Sequence, residues 1–257
     1  MKNELFHIGP LTVYGYGTMM AFAILAAVIT VMLRGKRKKA DTDTVLSLAI
    51  VCAVSGLLSA KLMFLITEWR YFIRDPFLYL TDFTDGFVVF GGIIGGTMAG
   101  FLYCRIRRLP FLKYFDLVMP SIALAQAIGR IGCFLAGCCY GRETHGVCAV
   151  VFRDSAFAPN HVPLIPTQLY SAGLNFLNFM ILLLIDRKQK SDGMVAACYL
   201  IFYSGGRFVM EFFRGDLERG NIGVLSTSQF IAVFTFAAGL FMAIYRIRKP
   251  SVKIDNK

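Results

Sequence analysis

Long apolar runs separated by short polar segments are the main feature of this sequence. A helix that crosses a hydrocarbon core needs about 20 residues. Seven runs reach or approach that length: Tyr14–Leu33, Val45–Ile66, Phe87–Tyr103, Leu117–Ala136, Thr167–Ile185, Met194–Phe213 and Ser228–Tyr245. The pattern predicts an all-α, polytopic membrane protein with about seven transmembrane helices.

Composition supports this prediction and narrows the class of protein. Of 257 residues, 56% are hydrophobic and only 17% are charged, which leaves too little polar surface for a water-soluble globule. The formal net charge of +11 would suit a nucleic-acid binder, but the basic residues stand in short clusters between apolar runs. We therefore expect no nucleic-acid partner. The polar segments are too short to hold a core, so residues 1–257 are predicted to form a single integral membrane domain.

The basic clusters also predict an orientation. They follow the first, third, fifth and seventh runs, within Arg34–Lys39, Arg105–Lys113, Arg187–Lys190 and Arg246–Lys257. Positively charged loops are retained in the cytoplasm, so the N-terminus is expected outside and the C-terminus inside. Glu4 and His7 argue against a cleavable signal peptide, so we expect the first run to stay in the mature protein.

Two runs contain residues that do not suit a lipid-facing helix. Gly91, Gly92, Gly95 and Gly96 interrupt the third run, and Arg130 lies inside the fourth. Broken helices and charges are tolerated at membrane depth only against protein or a water-filled cavity. Both features predict an interior site.

Arg130 is the first candidate for chemistry. Burying a guanidinium in hydrocarbon costs at least about 2.5 kcal/mol. A phosphate would offset that cost by matching the planar donor fork, and the small residues Gly129, Gly132, Gly137 and Gly141 would let a lipid headgroup or another backbone approach. Alternatively, Arg130 snorkels to the interface or pairs with Glu211.

The sixth run ends in a second charged motif. Arg207, Glu211 and Arg214 are spaced i, i+4, i+7 and so share one face of a helix. Such a row either pins the helix to a neighbour or lets Arg207 join Arg130 on a phosphate while Glu211 orients one of the arginines. At the start of the fifth run, Gln168 and Tyr170 of Pro166-Thr167-Gln168-Leu169-Tyr170 add hydrogen-bonding groups at the outer interface.

The seven cysteines fall into two groups. Cys52, Cys104 and Cys198 lie in or near apolar runs and are expected to be packing residues. The outer group contains Cys133, Cys138, Cys139 and Cys148. Plain thiols or a disulfide of Cys148 with Cys138 or Cys139 are expected there. Redox or acyl-carrier chemistry and a metal site completed by His145 or His161 are alternatives, but no recognised zinc spacing is present, so neither a metal nor a cofactor is expected.

Several motifs together resemble one family. Gly129-Arg130-Ile131-Gly132-x-Phe134-x-x-Gly137-x-x-x-Gly141, Pro166-Thr167-Gln168-Leu169-Tyr170 and Arg207-x-x-x-Glu211-Phe212-Phe213-Arg214 look like those of bacterial prolipoprotein diacylglyceryl transferases. Tyr14-Gly15 and Phe90-Gly91-Gly92-Ile93-Ile94-Gly95 also match the family's landmarks. The landmarks follow family order from about Leu11 to Tyr245.

The resemblance implies a seven-helix enzyme of the bacterial cytoplasmic (inner) membrane. Such an enzyme transfers diacylglyceryl from phosphatidylglycerol to the lipobox cysteine thiol of an exported prolipoprotein, and glycerol phosphate leaves. Matching positions imply catalytic roles for Arg130, Arg207, Tyr14 and Glu211, with Arg130 on the lipid headgroup. The expected substrate-binding residues are Arg130, Gly91, Gly92, Gly132, Gly137, Gly141, Gln168, Tyr170 and Arg214.

The sequence departs from the family where the thiol would be activated. Phe90 stands in place of a common histidine, and Cys133, Ala136 and Cys138 replace Asn, Asn and Glu. Phosphate binding survives these changes better than thiol activation does. Either another base serves (His145, His161 or a tyrosine), or the protein has a different acceptor, uses cysteine redox chemistry, or binds or transports lipid without catalysis.

Overall fold

A computed structural model describes residues 4–8, 11–75, 77, 86–188, 191–215, 221–223 and 225–248. Its helices are α1 (Gly15–Arg37), α2 (Thr42–Thr67), α3 (Trp69–Phe72), α4 (Val89–Ile106), α5 (Phe111–Ala136), α6 (Thr167–Lys188), α7 (Met194–Glu211) and α8 (Thr227–Arg248). Its strands are β1 (Glu4–Ile8), β2 (Leu11–Tyr14), β3 (Val150–Val151), β4 (Pro163–Leu164), β5 (Asn221–Ile222) and β6 (Leu225–Ser226). Within these ranges the strands form three antiparallel two-stranded sheets, which pair β1 with β2, β3 with β4 and β5 with β6.

The helices confirm the predicted all-α, polytopic class. Six of the helices described here, α1, α2, α4, α5, α6 and α8, are long and apolar enough to cross a membrane. The sixth predicted run forms α7, which has 18 residues, carries Arg207 and Glu211, and is not among the six. The count of seven spans and the orientation remain predictions. Lys190 and the residues beyond Arg248, whose charges support that orientation, lie outside the described ranges.

The chain divides into two compact units. One comprises the described residues of Met1–Val31 and Phe115–Lys257, and the other comprises those of Met32–Tyr114. The single membrane domain expected from the sequence therefore stays a prediction.

In the unit Met32–Tyr114, glycines join α4 to α2. A Cβ on Gly91 would lie 2.5 Å from the Ser59 carbonyl oxygen, and one on Gly92 would lie 3.3 Å from the Gly56 carbonyl oxygen. Small residues on facing helices allow such close backbone approach within membranes. The sequence suggested that these glycines interrupt a helix. The structure shows instead that α4 runs continuously through them. Their visible role is helix packing.

In the other unit, α5, α6 and α7 share a core. Its buried residues are Met119, Ala123, Leu182, Val195, Ala196 and Tyr199. The Tyr199 hydroxyl donates to Gln126 Oε1 at 3.0 Å, so its polar end is satisfied. This packing makes α7 an interior helix and brings Arg207 and Glu211 with it.

The start of α7 is held by a carboxylate from another helix. Asp116 of α5 is 4% exposed and accepts hydrogen bonds from the backbone N–H groups of Gly193 (2.6 Å) and Ala196 (2.8 Å). The first N–H groups of a helix lack partners within the helix, and the helix dipole favours an anion there. Asp116 therefore fixes α7 against α5.

We expect Asp116→Asn to lower the free energy of unfolding by about 2 kcal/mol, because the charge and one of the two acceptor oxygens are lost while both donors stay buried. Thermal unfolding of the purified protein in detergent measures the effect. Asp43→Asn, at an exposed residue in the first turn of α2, is the matched control. Equal melting temperatures for the two variants would contradict the role given to Asp116.

Candidate functional site

Backbone hydrogen bonds join the end of α5 to the start of α6 and the end of α7. The N–H of Gly141 donates to the Ile165 carbonyl at 3.0 Å, and the N–H of Arg142 donates to the Phe213 carbonyl at 2.9 Å. The N–H of Gly215 donates back to the Tyr140 carbonyl at 3.2 Å. We call these three bonds the interhelix clamp. They bring the sequence motifs around Arg130, Gln168 and Arg207 to one end of the unit.

Gly141 lies at the tightest point of the interhelix clamp. A Cβ there would lie 2.6 Å from the Ile165 carbonyl oxygen and 2.7 Å from Thr167 Cγ2. Gly215 is equally close, since a Cβ added to it would lie 2.5 Å from the Gly141 carbonyl oxygen. Side chains at either position would push the segments apart, so glycine is a requirement of close backbone approach here.

A pocket opens between α5, α6 and α7. Its enclosed volume is about 30 Å³, and the rest of the space between the helices is open to the outside. Its lining includes Arg130, Ser171, Asn178, Tyr203 and Arg207. The two arginines that the sequence placed together therefore do line one pocket.

The charged row on α7 forms only in part. Arg207 and Glu211 make an ion pair with a 2.8 Å N–O distance, and their side chains are 15% and 10% exposed. The Nη2 of Arg207 also donates to Ser228 Oγ of α8 at 2.9 Å. Because α7 ends at Glu211, Arg214 leaves the helical row and lies buried in the loop, bridged to Gly141.

Charged side chains surround Arg207. The guanidiniums of Arg214 and Arg130 repel that of Arg207, while the carboxylate of Glu211 attracts it. Arg130 and Arg207 line the pocket itself. In a low-dielectric setting such a site favours an anionic ligand.

Asn178 is a pocket residue that sequence reasoning missed. It is 5% exposed, and neither its amide oxygen nor its amide nitrogen has a hydrogen-bond partner among the described residues. An unpaired buried amide costs about 1–3 kcal/mol. Asn175 and Asn178 stand one helical turn apart in an apolar run, and this spacing of polar residues was the available signal.

The cysteine segment begins at the C-terminus of α5. Gly137 adopts a positive φ of 76°, its N–H donates to the Phe134 carbonyl at 3.2 Å, and the N–H of Cys138 donates to the Cys133 carbonyl at 3.1 Å. This pair of bonds is a Schellman motif, the common glycine-dependent end of a helix. It turns the chain back so that Cys138 lies beside Cys133.

The Pro166–Tyr170 motif fixes the cysteine turn. Thr167 Oγ1 donates to the Cys139 carbonyl at 2.8 Å, and Gln168 Nε2 donates to the Cys138 carbonyl at 2.7 Å. Both side chains are almost fully buried. Gln168 thus acts on the loop backbone, whereas Tyr170 is exposed.

Three cysteine sulfurs come together at this turn. The Sγ atoms of Cys133, Cys138 and Cys139 all lie within 4.8 Å of one another. We call these residues the thiol triangle. Cys148, the fourth member of the outer group, is exposed and lies outside the triangle. The disulfide expected between Cys148 and Cys138 or Cys139 stays a prediction.

The remaining predicted site residues do not line the pocket. Tyr14 ends β2 and is 49% exposed, and Gly132 faces Met19 and Tyr16 of α1 across a close helix contact. Gly91 and Gly92 belong to the other unit and face α2. The substrate roles of these residues stay predictions.

Comparison with known proteins gives one family and many relatives. The family model described as prolipoprotein diacylglyceryl transferase matches residues 3–245. A phosphatidylglycerol–prolipoprotein diacylglyceryl transferase of Clostridium tetani is 46% identical over 250 residues, covering 97% of this chain and 100% of the relative. The enzyme numbered 2 of Clostridium perfringens is 41% identical (97% and 96% covered), and that of Clostridioides difficile is 30% identical over the full length of both chains, 100% and 100%.

We expect Gly141→Ala to lower both thermal stability and activity, because the added methyl group would separate the segments of the interhelix clamp. The cost of such overpacking is about 1–3 kcal/mol. Gly173→Ala is the matched control, since a Cβ there meets no atom within 4 Å and alanine favours a helix. Unfolding midpoints in detergent compare the two, and a Gly141→Ala protein as stable as Gly173→Ala would refute this role for Gly141.

Proposed function

The chain belongs to the prolipoprotein diacylglyceryl transferase family, and we propose that it transfers the diacylglyceryl group of phosphatidylglycerol to the lipobox cysteine thiol of exported prolipoproteins. One observation carries the proposal beyond family membership. The guanidinium-bearing residues Arg130 and Arg207 line one pocket between helices. A pocket of that charge suits the phosphate of a phospholipid.

The arginines would act on the leaving group. In the transfer, the acceptor sulfur attacks the glyceryl carbon, a C–S bond forms, and the C–O bond to phosphate breaks with its electron pair kept by glycerol phosphate. Negative charge grows on that phosphate, and positive groups held in place beforehand stabilise it without reorganisation. Glu211 and Ser228 hold the Arg207 guanidinium in position for this task.

The placement of the site along the helices supports an outer location. Arg187 and Lys188 lie in the last turn of α6, and Arg246 and Arg248 lie in the last turn of α8. The pocket and the interhelix clamp involve the opposite ends of these helices, near Ser171 and Ser228. If the basic ends face the cytoplasm, the site opens toward the outer leaflet of the bacterial cytoplasmic membrane, where an exported acceptor is found.

Asn178 would bind an uncharged polar part of the lipid. Its amide offers donors and an acceptor at the pocket wall, and no described group of the protein uses them. Hydroxyl and ester oxygens of a glycerophospholipid match that capacity. This assignment accounts for a buried amide that otherwise only destabilises the fold.

We expect Arg130→Ala to lower turnover by about 10²–10³-fold, the usual loss when a group that stabilises the transition state is removed. Mass spectrometry of a lipobox peptide incubated with purified protein and phosphatidylglycerol measures the diacylglyceryl gain. Arg153→Ala, at an exposed loop residue, is the control and should keep the wild-type rate.

A folded Arg130→Ala protein at full rate would contradict the role of Arg130. No diacylglyceryl gain from the wild-type protein, in an assay where a family relative is active, would contradict the proposed reaction itself. Bound phosphatidylglycerol without any product would then favour a lipid binder or transporter.

The variant Asn178→Leu distinguishes a role of Asn178 in lipid binding from a role in the stability of the fold. We expect the KM for phosphatidylglycerol to rise about tenfold, since one lost hydrogen bond is worth about 1.4 kcal/mol. The melting temperature should stay equal or rise, because leucine removes an unpaired buried amide. A drop in melting temperature with an unchanged KM would instead make Asn178 a structural residue.

A further inference from the structure

The thiol triangle has no place in the mechanism above. We propose that Cys133, Cys138 and Cys139 bind a zinc ion whose fourth position accepts the thiol of the acceptor cysteine. This inference rests on the proposed function, since it supplies the activated thiol that the transfer needs.

The spacing of the sulfurs suits zinc. With Zn–S bonds of about 2.3 Å, two sulfurs of a tetrahedral site lie about 3.8 Å apart. The sulfurs of the thiol triangle are within 4.8 Å of one another, so small side-chain rotations close the site. Three protein ligands leave one position open, which is the arrangement of catalytic rather than structural zinc.

The backbone around the thiol triangle is held before any ion binds. The Schellman bond from Cys138 to Cys133 sets one edge, and Thr167 and Gln168 hold the carbonyls of Cys139 and Cys138. Cys139 adopts a positive φ of 59°, a conformation that costs a non-glycine residue of order 1–3 kcal/mol. Outer hydrogen bonds of this kind orient metal ligands, and backbone strain of this kind concentrates at functional sites.

The chemistry of the three ligands also favours zinc. The soft sulfur ligands select zinc over magnesium or calcium.

A disulfide accounts for the geometry less well. It joins only two sulfurs, at about 2.05 Å, and leaves the third beside them without a role. A shared ion uses all three equally. The exposed Cys148 lies outside the thiol triangle and is not needed.

The zinc site would activate the acceptor by coordination. The acceptor thiol binds the open position and releases its proton to water, because a coordinating thiol is deprotonated outright. The zinc-bound sulfur attacks the glyceryl carbon of phosphatidylglycerol, the C–S bond forms, and the C–O bond breaks with its electron pair on glycerol phosphate. The thioether product is a weaker ligand and leaves the ion. The step needs no external oxidant or reductant, and no histidine at position 90 is required.

One of the arginines that would hold the leaving phosphate stands on the same helix as Cys133. The Schellman motif at Gly137 reverses the chain after α5, so the residues that follow return to the side of Cys133. Arg130 stands three residues before Cys133 on the same helix. One short stretch of chain, from Arg130 to Cys139, would thus bind both the activated nucleophile and the leaving group.

The first test is the metal content of the full-length protein purified in detergent, measured by inductively coupled plasma mass spectrometry. We expect one zinc per chain and at least a tenfold loss in each of Cys133→Ser, Cys138→Ser and Cys139→Ser. Cys148→Ser is the matched control and should keep its zinc. No zinc after incubation with Zn²⁺, or a Cys133–Cys138 disulfide in non-reduced peptide maps, would overturn the proposal.

The second test asks what the open position binds. In protein loaded with Co²⁺, a lipobox peptide should change the thiolate-to-metal absorption, and the same peptide with its cysteine replaced by serine should not. An unchanged spectrum with the cysteine peptide would overturn the acceptor role.

Chelation separates this inference from the proposed function. Diacylglyceryl transfer that is lost on removal of zinc and restored by Zn²⁺ would support both. Full transfer by zinc-free protein would overturn the zinc role while the proposed function stands. A metal-loaded protein that binds the peptide but forms no product would overturn the reaction and leave the metal site intact.

Discussion

The three backbone hydrogen bonds of the interhelix clamp hold the site together. They join the loop after α5 to the start of α6 and to the end of α7. Backbone that is not helical survives near a membrane only where other parts of the protein satisfy its N–H and C=O groups. The loop at Gly141 and Arg142 meets this condition by bonding to Ile165 and Phe213. The same bonds bring the arginine motif of α5, the glutamine motif of α6 and the charged end of α7 to one place. Any side chain at position 141 would weaken all three hydrogen bonds of the interhelix clamp together.

The charges follow from this convergence. Glu211 pairs with Arg207, Ser228 accepts a hydrogen bond from the same guanidinium, and Arg130 lines the same pocket. Holding two guanidiniums near each other costs free energy in the unliganded protein. A bound phosphate would offset that cost, so the proposed site would trade stability for affinity. The unpaired amide of Asn178 would likewise cost stability in the unliganded protein and gain hydrogen-bond partners when the lipid binds.

Local sequence was enough to specify where the long helices lie. The run Leu117–Ala136 ends where α5 ends, and the run at Thr167 begins where α6 begins, because local composition and helix-breaking residues set both boundaries. The ion pair of Arg207 with Glu211 was also predictable, since its partners are four residues apart on one helix.

Contacts between distant segments became visible only in the folded chain. The glycines of α4 pack on α2 rather than break their helix, Arg214 leaves the row because α7 ends before it, and Gln168 holds a loop carbonyl. The close approach of the three sulfurs in the thiol triangle, and the lack of a partner for the Asn178 amide among the described residues, also depend on the fold. Hydropathy and helical period are properties of neighbouring residues. These contacts depend instead on how segments that are distant in the sequence pack together. For example, Arg142 Nε donates to the carbonyl of Arg214, which is 72 residues away.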